Sequence, residues 1–197
     1  MKKMDKIICK IVFLFFVSFS FEANSKIISM GDQGSKITIK VFSSLTCPAC
    51  ANFHSNIFYQ LKKEFIDNGI VRFEHHAFPL DLAALNAEII LRCHVDNEKR
   101  FELLGKIYKK QRLWAVGSDI NRINDSIKKI GIESNLKIEK MNDCLKDEKA
   151  QDEILNQRIN AQKKYKIEST PTIFINEKQY TGKAIYKEFK KVLEKNL

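Results

Sequence analysis

The apolar residues of this chain change their spacing along its length, and the changes mark out elements. Ile37, Ile39, Val41 and Phe42 crowd a short run that predicts a buried strand over residues 37–42. The spacing then lengthens. Phe53, Ile57, Leu61 and Phe65 recur at every fourth residue, with Phe58 beside them, and predict a helix from Cys47 to about Asp67. Asn68-Gly69 supplies its stop. Ile70 to Phe78 reads as a second strand, ended by Pro79. Strand, helix and strand in this order predict a right-handed βαβ unit. Ahead of it, Lys26 to Ser35 forms a lead-in with a short edge strand, and Gly31 and Gly34 mark a turn.

From Asp81 the period is helical and stays so. Leu82, Leu85, Ile89 and Cys93 form one stripe, and Phe101, Leu104 and Tyr108 the next. Gly117-Ser118-Asp119 and Gly131 punctuate further helices, one of which carries Met141 and Cys144. Strand signals return at Thr172 to Asn176 and, after a tight turn, at Lys178 to Thr181. A last helix uses Ile185, Phe189, Val192 and Leu193. The sequence holds no internal repeat and no low-complexity segment. A sheet begun before residue 80 and resumed after residue 170 predicts an α/β domain in two parts, residues 26–79 and 164–197. An all-helical insertion, residues 80–163, separates them.

The first 25 residues stand apart. Lys2, Lys3, Lys6 and Lys10 precede an apolar run from Ile11 to Phe21, and Ala23-Asn24-Ser25 offers small residues where a signal peptidase cuts. Spanning a bilayer takes about 20 apolar residues, so the run reads as a secretory signal peptide, residues 1–25, rather than an uncleaved anchor. Export implies an oxidising compartment, the periplasm. Cysteine usage agrees. Of the five cysteines, Cys9 falls in the signal, and Cys47, Cys50, Cys93 and Cys144 remain, an even number that fits disulfides. The net charge of +10, less four lysines and two acids of the signal, leaves +8 on the rest. The lysines are spread along every helix without interleaved aromatics, so they read as solvated faces and not as a nucleic-acid site.

Cys47-Pro48-Ala49-Cys50 carries the chemistry. A helix beginning at Cys47 points unpaired N–H groups and the positive end of its dipole at the first sulfur, which favours the nucleophilic thiolate. Pro48 fits the first turn, where no N–H is needed. Half of a zinc site is the alternative, but no second closely spaced Cys or His pair exists to complete it. Cys47, Cys50 and His54 could instead hold copper, although a helix-surface histidine is the commoner reading. His75 and His76 alternate on a strand, point to opposite faces, and read as packing residues. Trp114 reads as core.

In this order the chain resembles the DsbA family of thioredoxin-fold thiol–disulfide oxidoreductases, and most closely its bacterial single-domain branch. The resemblance covers residues 37–197. It rests on Cys47-Pro48-Ala49-Cys50 opening a helix and on Glu168 to Asn176 as the family's cis-proline strand. Tyr108, Gln111 and Trp114 on an insert helix, and Gly131-Ile132 followed by Cys144-Leu145, add to it. The resemblance implies a thioredoxin fold with a helical insertion. It implies Cys47 as the exposed nucleophile, Cys50 as the buried resolving thiol, Pro171 with a cis bond, and Thr170 presenting its backbone to an extended substrate segment. It also implies a structural disulfide between Cys93 and Cys144. Two residues depart from the family pattern. Ala49 stands where His is common before the second cysteine, and Val41 stands where a carboxylate is frequent.

The resulting expectation is an exported enzyme that introduces disulfides into proteins by dithiol–disulfide exchange, with no cofactor and no metal. Its substrates would be reduced exported proteins, its re-oxidant a quinone-linked membrane protein, and its state a monomer. Pro48 and Ala49 would tune the couple, and Ala49 predicts a Cys47 only moderately acidified for the family, hence a milder oxidant. A disulfide isomerase or reductase, and a thioredoxin-fold copper chaperone, are the alternatives.

Overall fold

A computed structural model describes residues 27–197, so the expected signal segment lies outside the described residues. Five strands form one sheet in the order β1-β3-β2-β4-β5. They are β1 (Ile28–Met30), β2 (Ile37–Ser43), β3 (Val71–Ala77), β4 (Thr172–Ile175) and β5 (Lys178–Gln179). The pair β2–β3 is parallel and joined by a helix, and every other pairing is antiparallel. The last strand is shorter than its sequence pattern suggests, because Tyr180 turns to stack on Phe189 with ring centroids 4.1 Å apart.

Between β2 and β3 runs a helix that is not wound evenly. It starts as α1 (Pro48–Phe53), passes through a π-helical turn at His54–Phe58 and an α-helical turn, α2 (Tyr59–Leu61), and ends in a second π turn at Lys62–Ile66. Apolar residues spaced by four drift round a helix of about 3.6 residues per turn. The π turns, closing i→i+5 bonds, wind more slowly and keep Phe53, Ile57, Leu61 and Phe65 on one buried face. Gly69, at φ +71°, makes the left-handed exit that a side chain would resist.

Between β3 and β4 every element is helical: α3 (Leu82–Arg92), α4 (Asn97–Lys109), α5 (Gln111–Trp114), α6 (Ile120–Ile132), α7 (Ile138–Lys146) and α8 (Glu148–Tyr165). The chain closes with α9 (Tyr186–Glu194). Ile39, Val41 and Phe73 on one face of the sheet join Phe53, Leu61, Leu104 and Phe189 in the main core. Phe42 and Phe174 on the other face pack with Ala161 and Ile167. Cys93, capping α3, is disulfide-bonded to Cys144 on α7, with Cα atoms 6.2 Å apart. A bridge across 51 residues contributes about 4 kcal/mol in the chain-entropy model. Trp114 is buried and donates its indole N–H to the Ile107 carbonyl at 2.9 Å.

Candidate active site

The C-terminal ends of β2 and β3 bring the reactive segment together. Just past β2, Ser44 and Thr46 share a hydroxyl contact of 3.1 Å, and Thr46 donates to the Asp81 carboxylate at 2.7 Å, which fastens this loop to the N-cap of α3. From the other side Gln111, buried on α5, donates both amide hydrogens, to the Leu45 carbonyl at 2.8 Å and the Cys47 carbonyl at 3.0 Å. The cysteines therefore begin a helix whose approach is held from two directions.

Cys47 is the N-cap of α1, with extended backbone, and its sulfur accepts from the Cys50 N–H at 3.4 Å. Pro48 takes the first helical position, and Ala49 is exposed beside it. Both cysteines are free thiols. The Thr170–Pro171 bond is cis, and Cys47 Sγ lies 3.2 Å from the Thr170 carbonyl oxygen, to which its S–H donates. The sheet carries this segment to the sulfur, since β4 pairs with β2 in the register Phe42↔Thr172.

The two sulfurs have opposite acidities. Cys47 falls from 9.0 to about 5, chiefly through the hydrogen bond from the Cys50 thiol, against a burial effect that works the other way. The Thr170 side chain and the backbone N–H groups of Cys50 and Ala49 add smaller contributions, although the Thr170 hydroxyl makes no hydrogen bond of good geometry. The helix N-terminus thus contributes, but less than the neighbouring thiol does. The Cys50 thiol is pushed far above its usual range, first by burial and then by Cys47. One sulfur is ready to attack and the other keeps its proton.

The histidines sort differently from the sequence reading. His54 is not a surface residue. It is 4% exposed, stacked on Phe58 at 4.5 Å and near Tyr108 at 5.1 Å, and burial holds it down at about 3. Among the described residues no group of three or more His, Cys, Asp or Glu could hold a metal ion. His76 packs on Phe42 and bonds Glu74 at 2.9 Å. His75 does more than pack: it bridges Ser43 and Glu88 in the interior behind Cys50. The signal for it was Glu88, an acid set three residues after Leu85 on an apolar stripe. Gln111 carries the same kind of signal, continuing the stripe of Leu104 and Tyr108.

A surface cavity of about 660 Å³ lies elsewhere, among Met30, Tyr59, Phe101 and Lys106. Two exposed apolar residues lie on segments tied to the cysteine loop. Leu80, whose N–H reaches Ser44 Oγ at 3.4 Å, is 53% exposed, and Leu113 on α5 is 77% exposed. No described helix is long and apolar enough to cross a membrane.

Known proteins resemble this chain over most of its length. The family model described as Thioredoxin matches residues 23–195. "Disulfide bond formation protein D" of Bacillus subtilis is 30% identical over 177 residues, covering 85% of this chain and 76% of that protein. A Rickettsia bellii protein named "Putative protein-disulfide oxidoreductase" is 30% identical over 162 residues, 82% of this chain; the chain spans only 61% of that relative's length. The crystal structure of Wolbachia pipientis alpha-DsbA1 superposes with a TM-score of 0.79 at 28% identity, covering 86% of this chain and 90% of that one. With its paired cysteines, cis-proline segment and helical excursion, the chain belongs to the DsbA-like protein-disulfide oxidoreductases of the thioredoxin family.

Proposed function

We propose that this chain is an exported oxidase that passes a Cys47–Cys50 disulfide to reduced proteins. The observation that carries the reading is the opposed acidity of the two thiols: Cys47 at about 5, Cys50 buried and far higher. A couple is more oxidising when its reduced form is better stabilised as thiolate. Cys47 lies between the thioredoxin range of about 7 and the DsbA value of about 3.5, which fits an oxidant milder than the strongest members. Cys47 is the nucleophile and Cys50 the resolving thiol. Pro171 and the Thr170 backbone receive an extended substrate segment, and exposed Leu80 and Leu113 suit apolar stretches of an unfolded protein. Pro48 and Ala49 set the poise of the couple, and the Cys93–Cys144 bridge is structural.

Residues 1–25 serve as a signal peptide. Residues 26–79 and 164–197 form the thioredoxin fold, and residues 80–163 its helical insertion. The protein works as a monomer in the periplasm, and a quinone-linked membrane oxidant restores its disulfide. Equilibration with glutathione tests the reading. An oxidase of this kind should have a potential between about −120 and −180 mV, whereas a value near −270 mV would make it a reductase. Cys47→Ser should abolish disulfide transfer to a reduced peptide, and Cys50→Ser should trap mixed disulfides on Cys47.

A further inference from the structure

Behind Cys50 several buried polar groups sit among apolar side chains, where apolar packing alone would serve. Cys50 lines a small void of about 10 Å³ where Ser43, His54, His75 and Tyr108 meet apolar Val41, Phe53, Phe73 and Leu104. That is on the order of the space one water occupies. His75 stands on β3 in register with Val41, an apolar residue that offers no proton acceptor of its own. Its Nδ1 is 3.2 Å from Ser43 Oγ and its Nε2 is 3.0 Å from Glu88 Oε2. Glu88 accepts from Arg92 Nε at 3.0 Å, and Arg92 donates onward to Gln157 at 3.0 Å. His75 and Glu88 are each 2% exposed. A buried charge network of this kind is weak evidence for stability, since apolar residues of similar volume often serve as well or better. It calls for a different reason.

We propose, building on the roles given above to Cys47 and Cys50, that His75, oriented by Glu88, exchanges the proton of the Cys50 thiol across this void, through the Ser43 hydroxyl or a single water. Burial keeps the Cys50 thiol protonated, so it cannot attack without a proton acceptor at hand. Arg92 Nε donates to Glu88 Oε1 and His75 Nε2 faces Oε2, so the carboxylate is met on both oxygens and the ring is oriented with Nε2 toward it. An ionised carboxylate only accepts, so Nε2 carries a proton and Nδ1 is the exchanging atom. The Ser43 hydroxyl can donate to Nδ1 or accept from it, so the contact survives both protonation states of the ring.

The other titratable groups packed around Cys50 and His75 are Cys47 at the head of α1, His54, Tyr108 on α4, and Glu88 and Arg92 on α3. His54 is held neutral by burial and by His75, and is a poor base. Tyr108 is held well above its usual range by burial, and its hydroxyl faces Ser43 without a hydrogen bond of normal geometry. The buried Nε2 of His54 and hydroxyl of Tyr108, neither with a hydrogen-bond partner among the described residues, belong to residues that line the void. They give a water there polar partners.

The step balances as follows. Cys50 gives its proton toward His75 Nδ1, and its sulfur bonds to Cys47 Sγ. The bond from Cys47 to the partner sulfur breaks, and the partner leaves as a thiolate that takes a proton from water. Two electrons pass from the dithiol to the partner disulfide. When the enzyme instead hands its disulfide to a substrate, the proton returns to the departing Cys50 sulfur.

The test reacts reduced protein with oxidised glutathione, quenches with acid, and follows two steps by mass. Formation of the Cys47–glutathione adduct depends on Cys47, and its closure with release of glutathione depends on Cys50. His75→Gln and Glu88→Gln should form the adduct at the wild-type rate but close it about a hundredfold more slowly, the usual scale of lost general acid–base help. Their closure rate should instead climb with hydroxide, about tenfold per pH unit, whereas a merely structural role for His75 would leave the wild-type pH profile in place. Glu88→Gln, which keeps the ring in place, carries the test alone if His75→Gln does not fold. Closure at the wild-type rate and pH profile in a folded variant overturns the proposal. Failure of wild-type protein to form any adduct overturns the oxidoreductase reading, and this proposal with it.

Discussion

Removing one sulfur should change the acidity of the other by an amount that can be worked out. The fall of Cys47 from 9.0 to about 5 represents about 5 kcal/mol of preference for the thiolate, at about 1.36 kcal/mol per pH unit. Although only 9% of the residue surface is exposed, protein encloses the sulfur only in part, so solvent screening lowers that figure. The largest contribution comes from the Cys50 thiol, and a hydrogen bond to a charged group is worth about 1.5–3 kcal/mol. Cys50→Ala should therefore move the midpoint of thiolate formation up by about one to two pH units.

The assay is ultraviolet thiolate absorbance against pH, checked by the rate of alkylation. A second readout follows from linkage. The folded midpoint lies below the unfolded one, so this thiolate stabilises the reduced protein fully above pH 9.0, and the contribution is lost as pH falls through about 5. The oxidised protein has no such group, so the stability difference between the redox forms should shrink from pH 9.0 down to about 5. A Cys50→Ala midpoint unchanged from wild type would refute the reasoning and return the effect to the helix backbone.

Other outcomes test separate parts of the structure. Ala49→His adds a donor or positive charge beside Cys47; it should lower the Cys47 midpoint and raise the reduction potential together, by roughly 30 mV for each 1.4 kcal/mol gained. An unchanged potential against glutathione would count against that electrostatic argument. Gln111→Ala takes the side-chain donor from the Leu45 carbonyl, while the Cys47 carbonyl keeps the Ala51 N–H, and should lower stability by about 1–3 kcal/mol in chemical denaturation. A loss under about 0.5 kcal/mol, the scale of an ordinary surface substitution, would deny Gln111 its role in holding the loop. Replacing Cys93 and Cys144 together with serine should cost up to about 4 kcal/mol while leaving the Cys47 midpoint in place, and a shifted midpoint would show that the bridge reaches the active site.

Much of the fold was legible because apolar spacing reports burial directly. The fours of Phe53, Ile57, Leu61 and Phe65 pointed to one helix between two strands, and one is there. The π turns were not legible, since spacing by four is also what one face of an α-helix shows. The cysteine pair announced its chemistry by local spacing alone. What stayed hidden were contacts between residues far apart in sequence. Strand alternation could put His75 inside, but its partner Glu88 sits thirteen residues on, on another element. Gln111 could be picked out as a residue, but its grip on the carbonyls of Leu45 and Cys47, 66 and 64 residues away, depends on how α5 docks.

That grip has a mechanical consequence. One planar amide holds two carbonyls of the segment that leads into α1, and its own backbone belongs to the helices between β3 and β4. Two hydrogen bonds from one planar amide fix the spacing of those carbonyls more closely than either would alone. A tilt of those helices would pull on the carbonyl of Cys47 itself, the residue that carries the first sulfur. Pressure on exposed Leu113, two residues from Gln111, would therefore be felt at the start of α1.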